Sequence, residues 1–179
     1  DRTTTGTGTV SAMTYTNLSK VKLKTYRSGN TTADTIPVFK DVLEVCKGKI
    51  FIVIDIDENK SPATEVLSAV KEKGMLDNVI FFTANLNDVG YLMANGAVAM
   101  PSCYNNTTFS TYVLQSKLKP LLFQTDNAGI NEEWVSMKNN GIRIYTNNYL
   151  LTSTNPQSDG WSQLETSLTN NVNIVQTDY

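Results

Sequence analysis

Ile50-Phe51-Ile52-Val53-Ile54-Asp55-Ile56-Asp57 decides the reading of this chain. Five consecutive apolar residues, β-branched or aromatic, run straight into a pair of carboxylates. An unbroken run of this kind predicts a strand buried on both faces, and such strands belong mostly to parallel sheets. The same grammar recurs downstream. Ser61-Pro62 opens a helix with Val66, Leu67 and Val70 on one face, and Gly74 ends it. Val79-Ile80-Phe81-Phe82 is the next strand. A short helix over 86–95 precedes a strand at Ala97-Val98-Ala99-Met100. A helix over 109–118 precedes Leu121-Leu122-Phe123, and a helix over 131–139 with Trp134 inward precedes Ile142-Arg143-Ile144-Tyr145. A polar loop over 151–159, a helix over 161–168 and a strand over 172–175 complete the series.

Upstream, Ile36-Pro37 begins a helix whose apolar positions are Val38, Val42, Leu43 and Val45, and Gly48 stops it. Pro37 suits a first helical turn, where its missing N–H costs nothing. Residues 1–35 are polar and carry little periodicity; Arg2 to Gly8 reads as loop, and Asn17 to Lys24 is short and fits either helix or strand. Six strands alternating with helices predict an α/β fold with a parallel sheet. A (β/α)8 barrel and an open doubly wound sheet both fit that alternation. No GxGxxG or Walker pattern follows any strand, so a nucleotide site is not indicated.

Composition narrows the chemistry. The 179 residues contain no histidine, which excludes imidazole as acid, base or metal ligand within the chain. A formal charge of −2 without a clustered Lys/Arg stripe argues against a nucleic-acid surface. The apolar run at 50–54 is far too short to cross a bilayer. Cys46 and Cys103 form no CxxC motif and read as buried free thiols. Asn-x-Ser/Thr triplets such as Asn30-Thr31-Thr32 do not by themselves indicate secretion. Composition does not specify a source compartment.

In either architecture ligands lie at the carboxyl ends of the strands. Those ends are polar: Asp55 and Asp57, Thr83 and Asn85, Met100 and Ser102, Gln124 and Asp126, Asn147 and Asn148, Gln176 and Asp178. Asp55 and Asp57 share a strand face because side chains alternate. Two carboxylates so placed repel unless a cation lies between them, which suits Mg²⁺ or Ca²⁺. A solvated acidic turn is the alternative. Trp134 and Trp161 read as packing residues of outer helices.

Several motifs then resemble one family in order along the chain. Arg2-Thr3-Thr4-Thr5-Gly6-Thr7-Gly8 is similar to the RTTxGxG element of glycerophosphodiester phosphodiesterases, with Asp1 just before it. Ile36-Pro37-Val38-Phe39-Lys40-Asp41-Val42-Leu43 resembles its IPxxxxVL helix start. Ile52-Val53-Ile54-Asp55-Ile56-Asp57 lies where the family has a strand ending in Glu-x-Lys. Gly141-Ile142-Arg143-Ile144-Tyr145-Thr146-Asn147 and Val175-Gln176-Thr177-Asp178-Tyr179 resemble its last two strands.

The resemblance implies a single phosphodiesterase-like domain over 1–179, a (β/α)8 barrel of which about six units, the third to the eighth, are present. It implies metal-dependent hydrolysis of a small phosphodiester to glycerol 3-phosphate and an alcohol, within lipid and glycerol metabolism, using a divalent cation (Mg²⁺ or Ca²⁺). Asp55 would stand in for the metal-binding Glu, and Asp57 replaces a Lys. Asp57, Thr83, Gln124, Asp126, Tyr145 and Asn147 are the pocket candidates, Tyr145 at the position of a family Trp.

The family's two catalytic histidines and two further metal carboxylates would precede Asp1, on strands this sequence does not contain. The chain alone is therefore expected to be inactive, and a degenerate binding module of the same fold is the competing reading. A barrel lacking two strands exposes two sheet edges. Either the chain associates through them, as a homo-oligomer, or residues 1–30 close the gap.

Overall fold

A computed structural model describes residues 3–25, 28–56, 62–103, 106–126, 132–147, 165 and 167–176. The chain divides into two compact units, Asp1–Gly48 and Lys49–Tyr179.

In the first unit, a short helix α1 (Tyr15–Leu18) precedes an antiparallel pair, β1 (Lys22–Lys24) and β2 (Thr31–Thr35). The stretch over 17–24, which the sequence leaves open, is thus the end of a helix followed by a strand. Lys22-Leu23-Lys24 alternates over only three residues, too few for a periodicity to register. The threonine-rich element lies along the outer side of β1: Thr4 bridges Leu23, Thr5 N–H donates to Lys22 O, and Lys24 N–H donates to Thr3 O. Gly6 packs closely here: a Cβ would stand 3.0 Å from a methyl of Val21, which would have to shift by a few tenths of an ångström. Helix α2 (Phe39–Cys46) starts after Val38, so Pro37 precedes the helix and does not occupy its first turn. Leu43 is its fully buried residue.

The second unit contains the expected alternation. Strand β3 (Ile52–Asp55) is followed by α3 (Ala63–Glu72), β4 (Val79–Phe82), α4 (Leu86–Ala94) and β5 (Val98–Met100). Then come α5 (Asn106–Phe109), β6 (Leu122–Asp126), α6 (Glu132–Asn139), β7 (Arg143–Asn147) and β8 (Ile174–Gln176). The helix expected over 109–118 begins earlier and changes pitch: α5 runs into a π-helical segment, Ser110–Gln115. Of the helix expected over 161–168, Glu165 and Ser167–169 are described and helical, and Trp161 lies outside the described residues.

All four strand pairings within the sheets are parallel, in the orders β3-β4-β5 and β6-β7-β8. The two sheets meet through a parallel bridge between Ser102 and Gln124. There Gln124 N–H donates to Pro101 O at 2.9 Å and Cys103 N–H to Gln124 O at 2.7 Å. The six strands therefore lie side by side in chain order.

That order decides between the two architectures. A doubly wound sheet reverses direction at a switch point, which sends helices to both faces. Right-handed crossovers that always advance the same way leave every helix on one face. The array is thus of the (β/α)8 barrel type, with about six βα units present.

Burial agrees with this. On the helix side Phe81, Phe123 and Ile144 are fully buried and Ala99 nearly so. Trp134 of α6 is also fully buried, and its indole N–H donates to Thr125 Oγ1 of β6 at 3.1 Å. The opposite face carries Ile80, Phe82, Val98, Met100, Leu122 and Tyr145 as one packed cluster.

At β3 the expectation of burial on both faces is corrected. Phe51 is 75% exposed and Val53 44%, while Ile56 is buried. Val53 pairs in register with Ile80, so the open face is the inward one. β3 has a neighbour on one side only among the described residues, and its inner face is covered from that side alone. Cys103 is buried but Cys46 only half-buried, and neither forms a disulfide.

Candidate functional site

The carboxyl ends of the six strands form one rim. Register places its members. In parallel strands paired residues project to the same face, so Ser102, Gln124, Tyr145 and Ile174 make one transverse row across β5 to β8. Gln176 stands on the same face as Ile174, two residues nearer the rim. The row ends in a hydrogen bond: the Tyr145 hydroxyl donates to Gln176 Oε1 at 2.9 Å. Tyr145 is buried, and burial raises the pKa of its phenol above the ordinary value, keeping it a neutral donor.

The candidate residues separate on this geometry. Gln124 and Tyr145 are brought together on neighbouring strands. Asp126 pairs with Asn147 in register at the ends of β6 and β7, described at the level of the backbone. Asp55 ends β3 and is exposed. It lies at the far end of the array from β8. Asp57 lies outside the described residues.

Thr83 stands apart from the others. It continues the buried, helix-facing set of β4, and its hydroxyl accepts the Asn85 N–H at 3.2 Å. Asn85 in turn caps α4, its Oδ1 accepting from Asn87 N–H at 2.9 Å and Asp88 N–H at 3.2 Å. Tyr112 O–H donates to Ala84 O at 2.8 Å. The polar residues after β4 thus hold the strand–helix turn together.

Gln176 was not among the pocket candidates, although the alternation of Ile174, Val175 and Gln176 places it on the same face as Ile174. The last strand is Ile174–Gln176, two residues later than the expected start at 172, so Gln176 falls inside it.

A divalent cation needs several oxygen donors converging on one point. Among the described residues no three His, Cys, Asp or Glu side chains do so. The described residues therefore do not make a cation site by themselves, and Asp55 would supply a single donor. No described helix is long and apolar enough to cross a membrane. The amino ends of the strands surround a separate, mostly apolar cavity of about 240 Å³. Phe51, Ile80, Val98, Leu122 and Ile174 line it, with Arg143 and Asp77 as its charged residues.

Neither protein-family models nor curated protein sequences give a match to this chain. Solved structures do. A glycerophosphodiester phosphodiesterase from Agrobacterium tumefaciens superposes with a TM-score of 0.76 at 16% identity, covering 99% of this chain and 74% of that one. A glycerophosphoryl diester phosphodiesterase from Parabacteroides distasonis gives a TM-score of 0.75 at 16% identity, over 99% of this chain and 64% of that one. The chain thus spans just under two thirds of the latter's length. Strand order, register and these likenesses agree: this chain has the fold of the glycerophosphodiester phosphodiesterases.

Proposed function

We propose that this chain provides six of the eight βα units of a metal-dependent glycerophosphodiesterase. The substrate would be a small glycerophosphodiester, cleaved to glycerol 3-phosphate and an alcohol. The observation behind this reading is the chain-ordered, six-stranded parallel array, together with its likeness to structures of that name.

Hydrolysis of a phosphodiester needs a base for the attacking hydroxyl and an acid for the leaving alkoxide. The chain has no histidine, and its described residues gather no cation-binding set. Both requirements fall to two further units, which would pair with the edges of β3 and β8 that have no neighbour among the described residues. Asp55, at the end of β3, would then adjoin the added strands and contribute one oxygen to a cation there. Without those units the same edges offer a second copy of the chain a place to pair.

The test compares the 179-residue chain with a protein extended by its own upstream coding sequence, both assayed for alcohol release from a glycerophosphodiester. The extended protein should hydrolyse at least a thousandfold faster and lose that rate with a chelator. Equal rates from both proteins would refute the division of labour. No hydrolysis from a folded extended protein would favour a non-catalytic binding module.

A further inference from the structure

We propose that the antiparallel hairpin of the first unit docks the protein on an anionic phospholipid surface. The net charge of −2 conceals a division along the chain. Asp1–Gly48 holds seven Lys and Arg against four Asp and Glu, a formal +3; Lys49–Tyr179 holds eight against thirteen, a formal −5. Arg2, Lys20, Lys22, Lys24 and Arg27 follow one another with no acidic residue between Asp1 and Asp34. Arg2 and Arg27 lie outside the described residues.

Register gathers the lysines of β1 on a polar face. Lys22 and Lys24 project to one side of the strand and Leu23 to the other. Thr4 bridges Leu23, so Thr3 and Thr5 share the lysine side. On the other flank Lys22 pairs with Thr35 and Lys24 with Thr31. Two lysines thus stand among four threonines, while Asp34, next to Thr35, turns to the opposite side. Thr3, Thr5 and Thr31 are exposed and Lys22, Lys24 and Thr35 half-buried, so the face is open to solvent. Lys22 Nζ donates to Ala33 O, which lays its stem along β2. Ammonium groups and hydroxyls are donors that phosphate oxygens accept from.

An apolar component adjoins this face in the chain. Val10 is 65% exposed and Tyr15 70%, both on the connection that joins the threonine-rich element to β1. Tyrosine, with an apolar body and a polar tip, suits the headgroup level of a bilayer. Each lysine near an anionic leaflet strengthens partition about fivefold. A nucleic acid would use the same cations and stack on Tyr15, but would leave Val10 in water. The second unit, at −5, opposes docking by its sign. Binding of this net-acidic chain to an anionic surface is therefore diagnostic of the hairpin. The proposal does not depend on the phosphodiesterase reading.

The experiment is co-sedimentation of the full 179-residue chain with vesicles of phosphatidylcholine, with and without phosphatidylserine, at low and high salt. Each variant is checked for native far-UV circular dichroism. Wild type should partition at least tenfold more strongly onto the phosphatidylserine vesicles, and salt should weaken that partition. Lys20→Gln/Lys22→Gln/Lys24→Gln should lower it at least tenfold. The single change Lys20→Gln, at an exposed position outside β1, should lower it about fivefold and covers the case in which the triple variant does not fold. Tyr15→Ser should lower it at both salt concentrations. Lys71→Gln/Lys119→Gln, which removes two exposed lysines of the second unit, should leave it unchanged. Equal partition onto both vesicle types, partition indifferent to the hairpin lysines, or an equal loss in the second-unit variant would overturn the proposal. So would retention on single-stranded DNA that phosphatidylserine vesicles do not compete, which would assign the face to a nucleic acid.

Discussion

Trp134 and Thr125 show how much a single polar contact decides in this fold. The indole is fully buried, and its N–H has one acceptor described, the Thr125 hydroxyl at 3.1 Å. Replacing Thr125 by Val keeps the shape and removes this hydrogen bond. Equilibrium urea unfolding should show a loss of about 1 kcal/mol. Trp134→Ala should cost more, about 3–5 kcal/mol, because it opens a cavity as well. Tyr145 sets a pH dependence. Burial raises its pKa, so the native chain holds this proton more tightly than the unfolded chain does. The resulting stability is complete below about pH 10 and is lost as pH rises through the native value. Urea midpoints measured from neutral to strongly alkaline pH should fall less steeply for Tyr145→Phe than for wild type.

At the scale of elements, the joints from helix to strand share one design. Gly74, Gly96 and Gly141 each take a positive φ, and the next residue donates back to the helix: Met75 to Val70, Ala97 to Leu92, Ile142 to Met137. Asn171 does the same, with Val172 donating to Ser167. Lys117 is the exception. It holds φ +55 after the π-helical segment, and Leu118 reaches back six residues to Tyr112. A left-handed conformation costs a side-chain-bearing residue about 1–2 kcal/mol, more than glycine's extra chain entropy. Lys117→Gly should therefore raise stability by about 0.5 kcal/mol, read by calorimetry. On β7, Thr146 Oγ1 is buried without a hydrogen-bond partner among the described residues. Thr146→Val should stabilise by about 1 kcal/mol.

These joints also mark what a sequence reader can see. Gly74 and Gly141 announce their helix ends, and the runs at 50–54 and 79–82 announce strands, because each places a distinctive residue type where the backbone needs it. Lys117 announces nothing, since its conformation is imposed by the helix pitch before it. Phe51 and Val53 look like core residues; their exposure depends on whether a neighbouring strand is present, which no local pattern encodes. Of the candidate site, Gln124 and Tyr145 were legible from strand ends and resemblance. Gln176 was legible as a polar strand end and no more, because the last strand starts two residues later than its apolar run suggests and so includes it. Thr83 looked equally suited to the pocket, and its buried place in line with Val79 and Phe81, together with its bond to Asn85, sets it apart.

For the second unit as a whole, the decisive feature is that each strand neighbours the one before it in sequence. A parallel edge strand leaves alternate N–H groups without a partner. In β3, one alternating set of amides over Ile52–Asp55 should exchange with solvent far faster than those of β4, and native-state hydrogen exchange will report it. Protection of that set in the extended protein would mark the edge as covered. Because each neighbour in the array is also the next strand along the chain, no pairing in it waits for a distant segment. Loop closure is then cheap at every step. A chain of this design can assemble progressively as it leaves the ribosome, each new βα unit docking on the last. Two strands, β3 at the start of the array and β8 at its end, have a neighbour on one side only among the described residues, so the folding problem of this unit lies at its two edges.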